Sequence, residues 1–229
     1  MASRRIEPLG AEQTSVLVTG TVYFGVSGPR STVGLVLGQN GKLVCALQAE
    51  RSGSETGEHK PPHQNGELIR ALQAGRPIPG ADGAVWWFKP TNLEKPDAVP
   101  FVLEKYHSQD KTWKTVGQGA LPRRKETSGK RRIADVEPLG VDAQGRAAVV
   151  FGEGNYIAQF ASKIDSIRFV RISSRGTILN TLSPEKIGLD GAILNGKYFS
   201  YKHYQLMPDG SILAQYATLD RYKILRIHF

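Results

Sequence analysis

His59 and His63 stand four residues apart, a spacing that would place two imidazoles on one helical face to hold a metal ion. Pro61 and Pro62 lie between them and exclude a regular helix. The plain reading is a solvated loop; a loop site completed by Glu55 or Glu58 is the sharper one. Gly191 to Tyr198 has the glycine and lysine spacing of a phosphate-binding loop, but Tyr198 stands where a Ser or Thr hydroxyl would hold Mg²⁺. The segment also lacks the following helix that would aim its N-terminus at phosphate, so a strand–turn element is expected there. His107 near Asp110, and His203 flanked by Tyr201 and Tyr204, are equipped for acid–base chemistry. Sequence alone does not bring these groups together, and hydrogen bonding at the surface or in the core is their plainer role. Cys45, the single cysteine, sits in the apolar run Lys42-Leu43-Val44-Cys45-Ala46-Leu47 and is expected to be buried and inert. One thiol makes no internal disulfide. No metal site or cofactor is expected, and the reading leans away from an enzyme.

The chemistry that remains is binding. Residues 121–132 carry Arg123, Arg124, Lys125, Lys130, Arg131 and Arg132 against Glu126 alone. Like charges at that density repel in a compact form, so an open loop is expected, able to attract a phosphate or sulfate polymer. The formal net charge of +9 points the same way, toward nucleic acid, acidic polysaccharide or an anionic membrane surface; service to solubility is the blander explanation. Trp86 and Trp87 are adjacent on an expected strand and so face opposite sides. One belongs to the core; the other is either covered by a neighbouring loop or open to stack a sugar or base.

These residues must be positioned by strands. With 40% hydrophobic residues, 25 Gly and 13 Pro, the chain has material for one large core and for many turns. β-Branched and aromatic runs recur at 15–26, 32–37, 42–47, 84–88, 101–106 and 112–116, separated by turn residues. Residues 1–14 are read as a flexible lead-in, and 15–229 as a single β-repeat domain with polar insert loops at 49–66 and 121–132. One short helix is expected near 67–74, from the spacing of Leu68, Ile69 and Leu72 and the stop at Gly75 and Pro77. No run reaches the length of a membrane helix. The chain reads as soluble: cytoplasmic, or periplasmic or secreted if a signal has been removed.

The second half is more regular. Around Gly145, Gly176 and Gly210 an apolar strand, a few polar residues, a turn glycine and a second apolar strand follow one another, and Gly41 centres a fourth copy. The last three glycines are spaced by 31 and 34 residues, and the gap of 104 from Gly41 to Gly145 leaves room for about two more degenerate units at a period of roughly 35 to 50 residues, which predicts a hairpin repeat.

Asp142-Ala143-Gln144-Gly145 and Pro208-Asp209-Gly210 resemble the mid-blade turns of β-propeller proteins; the turns at Gly176 and Gly41 lack the Asp. Ser108 to Trp113 also looks like a shortened Asp-box, without its glycine. The resemblance covers 137–229 well and 15–48 fairly, and implies architecture alone: an all-β antiparallel meander forming a small propeller of four to five blades. Ring closure would then pair residues 16–24 with the final strand, 222–229. The function expected is a non-enzymatic binding or scaffold module engaging a protein or anionic polymer through its loops. The alternatives are a propeller-type hydrolase or lyase acting on a glycan or lactone, and a nucleic-acid or polyanion binder using the basic loop.

Overall fold

The computed structural model describes residues 4–10, 15–23, 30–38, 43–47, 51–52, 76–92, 95–107, 112–124, 132–158, 161–183, 201–217 and 222–229. All regular structure among them is β, arranged as four antiparallel sheets in chain order. The first sheet holds β1 (Arg4–Leu9), β2 (Ser15–Tyr23), β3 (Arg30–Gly38) and β4 (Leu43–Leu47), with the two-residue β5 (Arg51–Ser52) also on β3. The second holds β6 (Arg76–Pro79), β7 (Val85–Pro90), β8 (Ala98–His107) and β9 (Thr112–Pro122). The third holds β10 (Arg132–Val141), β11 (Ala147–Ala158), β12 (Ala161–Ile172) and β13 (Ile178–Leu182). The fourth has three strands: β14 (Tyr201–Leu206), β15 (Ile212–Ala217) and β16 (Tyr222–Ile227). The expected helix at 67–74, the Gly191–Tyr198 segment and the side chain of Cys45 lie outside the described residues, although Cys45 itself falls on β4.

Apolar alternation explains how the sheets stack. On β11, Ala147, Val149 and Phe151 face the second sheet, where they pack with Ile78, Trp86, Phe88 and Phe101. Ala148 and Val150, between them in sequence, pack with Phe169, Tyr204 and Ile212 toward the fourth sheet. A strand covered on both faces reads as an unbroken apolar run, as 147–151 does. A smaller cluster of Leu9, Leu17, Val36 and Val85 joins the first sheet to the second. The core is thus three successive sheet-to-sheet seams.

One turn design recurs. At Gly80–Ala84, Asp142–Arg146, Ser173–Thr177 and Met207–Ser211, the first residue's N–H donates to the fifth residue's carbonyl, and the fourth residue's N–H donates back to the first residue's carbonyl. The fourth residue is always a glycine in the left-handed region: Gly83, Gly145, Gly176 and Gly210, with φ of 78°, 73°, 91° and 85°. Glycines 83, 145 and 210 join the first and second strands of successive sheets, 62 and 65 residues apart. Gly176 joins the third and fourth strands of one sheet. The expected period of 35 to 50 residues is therefore corrected: spacings of 31 and 34 mix two kinds of hairpin, and one sheet recurs about twice as slowly.

Three further expectations change. Residues 4–9, read as part of a flexible lead-in, pair along β2 as a strand. Arg76–Pro79, read as the helix stop, is also a strand. Both were hidden by prolines, and both are edge strands paired on one side only, where a missing N–H costs no ladder bond. Closure by pairing of 16–24 with the final strand does not occur: β2 has β1 on one edge and β3 on the other, and β16 pairs with β15.

The first strands of the four sheets meet end to end. Gly10 N–H donates to the Gly80 carbonyl (3.0 Å), Ala81 N–H to Val141 (2.8 Å), and Ala143 N–H to Pro208 (3.1 Å). Gly80 and Val141 form a parallel bridge, so β6 and β10 run the same way.

Candidate binding surfaces

Where the four first strands meet they enclose a cavity of about 40 Å³, lined by Pro8 and Gly10, Pro79 to Ala81, Gly140 and Val141, and Gln205 to Pro208. Glycine is needed at Gly140, where a Cβ would meet the Pro79 carbonyl at 3.0 Å and Leu206 at 3.5 Å. A space of this size admits a few water molecules. Among the described residues no three His, Cys, Asp or Glu side chains gather as a metal site would require.

The basic segment is anchored at its start. β9 runs through Pro122, and β10 begins at Arg132, so only 125–131 of the expected loop lies outside the described residues. Beneath it sits Glu153 of β11, fully buried. Its carboxylate accepts the Arg124 N–H (3.2 and 3.4 Å to the two oxygens) and the Arg168 Nη2 (2.6 Å). Arg168 Nη2 also donates to the Pro122 carbonyl (2.7 Å), and its guanidinium lies 4.8 Å from the centre of the Phe151 ring. A carboxylate removed from water is tolerable only when so fully engaged. This clamp ties the end of the second sheet to the third and fixes where the basic segment leaves the body.

The clamp revises the expected cation set. Arg123 is buried, at 9% exposure, and its N–H donates to the Asp97 carbonyl (2.9 Å). It sits inside the junction and does not join an open row of charges. Arg124 is exposed. Lys125, Lys130 and Arg131 lie outside the described residues, as does the Arg132 side chain, although Arg132 opens β10.

Trp86 and Trp87 face opposite sides, as strand alternation requires, and both are buried, at 4% and 2% exposure. The second sheet lies between the first and the third, which covers both faces of β7 at these two residues. Trp86 donates from Nε1 to Asp82 (3.3 Å) and carries Lys105 over its ring; Trp87 meets Trp113 edge-on and carries Lys89. Of the two alternatives for the second tryptophan, the covered one is observed.

The turns carry a second, repeated feature. Asp82 and Asp209 hold the same third position of their turns, and each accepts the N–H two residues on, from Ala84 (3.0 Å) and Ser211 (2.9 Å). Each also pairs with a cation from the third strand of its own sheet: Lys105 at 2.9 Å and Arg226 at 2.6 Å. In the third sheet Asp142 occupies the first position and pairs with Arg146 at 2.7 Å, while Arg171 of β12 reaches across to the Gly210 carbonyl. Burial raises the Asp82 carboxyl, but the bonds from Lys105, Ala84 and Trp86 outweigh it and leave the pKa lowered. Asp209 is held at about 2, chiefly by the Ser211 hydroxyl and N–H, with Arg226 adding to them. Burial and the Arg146 charge lower Arg171, against the pull of Asp142 and Asp209.

Among the described residues no histidines are brought into a shared site. His107 ends β8, and His203 lies on β14, a different sheet, with its side chain outside the described residues. Tyr204 is buried against Phe169, ring centres 5.5 Å apart. His59, His63 and Asp110 lie outside the described residues. The Glu153–Arg168 clamp escaped sequence reasoning. Its signal was a lone acid in the apolar run ending Phe151-Gly152-Glu153-Gly154, with Arg168 opposite Phe151 across the hairpin.

No protein-family model matches this chain, and a search of the curated proteins finds no relative. Among the described residues no helix is long and apolar enough to cross a membrane.

Proposed function

We propose that the chain is a four-sheet, propeller-like binding module that engages an anionic polymer or an acidic protein surface through the connections between its sheets. The observation that carries this reading is the convergence of β1, β6, β10 and β14 on one narrow cavity. In a radial array the innermost strand of each blade lines the axis. Here glycine and proline line the narrow space between the first strands, which supports a reading in which recognition falls to the outside. The meander supports the same conclusion. The glycine turns after the first strands lie at the cavity end, so each sheet begins and finishes at the other end. The strand ends flanking 48–75, 123–131 and 183–200 therefore share one side of the molecule, and the basic segment is tied there by Glu153 and Arg168.

Heparin chromatography and DNA binding across a salt series test the reading. Changing Arg124, Lys125, Lys130 and Arg131 to Ser, with the buried Arg123 kept, should remove most of the retention. It should also cut the slope of log K against log salt by up to about 3.6, near 0.9 for each phosphate no longer neutralised. Unchanged retention and slope would place the basic footprint elsewhere and overturn the proposal.

A further inference from the structure

The outer edges of the sheets are treated unequally. In the second sheet the outer strand β9 is covered by the next sheet's third–fourth turn. Gln118 N–H donates to the Arg175 carbonyl (3.3 Å), and that turn lies so close that a Cβ at Gly117 or Gly119 would strike its backbone. Repeating this arrangement one sheet further along, the turn after the fourth sheet's third strand would cover β13. Among the described residues the fourth sheet stops at its third strand, β16. Among the described residues, the outer edges of β13 and β16 pair with no further strand. Among the described residues the large apolar side chains that stand exposed fall on these two strands: Leu179 on β13 at 50%, Tyr222 and Ile224 on β16 at 60% and 55%.

An edge strand presents unpaired N–H and C=O groups at every second residue and is a template for another strand. Tyr222 and Ile224, two residues apart, share one face of it. Residues 222–229 contain Lys223 and Arg226 and no acid; Arg226 is engaged by Asp209 (2.6 Å), so the exposed Lys223 is the cation that favours an acidic segment. We infer that the outer edge of β16 is a strand-addition site for an extended, acidic, β-branched segment of a partner protein, which completes the fourth sheet and covers β13. Main-chain bonds to β16 supply the affinity, and contacts to Ile224 and Lys223 supply the preference. A second copy of this chain is a poor occupant, because each copy carries +9 and brings the same cations to the seam. The inference concerns an edge, not the inter-sheet connections, and stands whether or not the basic segment binds polyanions.

Selection from a displayed random-peptide library tests it, followed by hydrogen exchange and fluorescence anisotropy with the strongest peptide selected. The expected result is peptides alternating acidic and β-branched residues, with new amide protection in 222–227. Ile224→Lys should weaken binding at least tenfold, and Lys223→Glu should lose the acidic peptides; both positions are exposed, and unchanged circular dichroism confirms the fold. Failure to select any peptide, selection of basic or proline-rich peptides, protection elsewhere, binding indifferent to both substitutions, or a concentration-dependent dimer through β16 would each overturn the inference.

Discussion

Asp209 shows how one side chain organises a turn. Its Oδ1 accepts both the N–H and the hydroxyl of Ser211, at 2.9 and 2.7 Å, and its Oδ2 accepts Arg226. These donors favour the ionised form, which is why its pKa stands at about 2 against an ordinary 3.8. A depressed folded-state pKa means that the unfolded chain takes up the proton first. The stabilisation is therefore complete above pH 3.8 and disappears as pH falls through about 2. The carboxyl carbon of Asp209, followed by NMR, should titrate near pH 2, and Asp209→Asn should flatten the acid-side loss of stability between those values; a midpoint close to 3.8 would refute the assignment. At this scale the sequence was partly legible. Pro208-Asp209-Gly210 announces its turn, because Asp and Gly are the residues that local bonding and positive φ require. The equivalent turn at Gly80–Ala84 went unread, because Pro77 and Pro79 disguise the strand before it. Arg123 was legible as a charge and illegible as a buried one, since its burial comes from packing at the junction of the sheets, which local sequence does not show.

At the scale of the element, the turn at Ser173–Thr177 has two tasks: it joins β12 to β13 and it seats on β9. The three glycines 117, 119 and 176 meet there, and a Cβ on Gly176 would fall onto the Gln118 carbonyl. Gly145 has the same left-handed backbone, yet a Cβ there meets nothing within 4 Å. The pair separates conformational strain from crowding. Gly145→Ala should cost about 1 kcal/mol from positive φ alone. Gly176→Ala should cost about 3 kcal/mol or more, because backbone crowding is added to that strain. Chemical denaturation of the two variants measures the difference; equal losses would mean that the turn does not rest on β9. The strands themselves were largely readable from β-branched runs and turn glycines. Proline misled at β1 and β6 for a single reason. Pro8, Pro77, Pro79 and Pro138 all lie on first strands, which pair on one side only and tolerate the absent donor.

For the whole molecule, the arrangement of the core decides how it comes apart. Among the described residues, the seam between the second and third sheets is built from Phe88, Phe101, Phe151 and their neighbours, and the seam joining the first sheet includes Leu9, Leu17, Val36 and Val85. Repeated antiparallel hairpins could be anticipated from strand and turn, but their grouping into sheets and the seams could not, because which face meets which neighbour depends on packing across long sequence separations. Where each sheet packs mainly on the next, stability behaves as a sum of neighbouring interfaces, and outer units open before inner ones. Native-state hydrogen exchange should accordingly find the slowest amides in β7, β8, β11 and β12, with the first and fourth sheets exchanging through cheaper openings. Phe169 makes the test directional. It is fully buried in the seam between the third and fourth sheets, edge-on to Tyr204. Phe169→Ala should cost about 3–5 kcal/mol. It should release the amides of β14, β15 and β16 first, while those of β2 and β3, two seams away, keep their wild-type opening energies. If the first sheet loosens equally, the four sheets unfold as one cooperative ring, and the picture of separable seams fails.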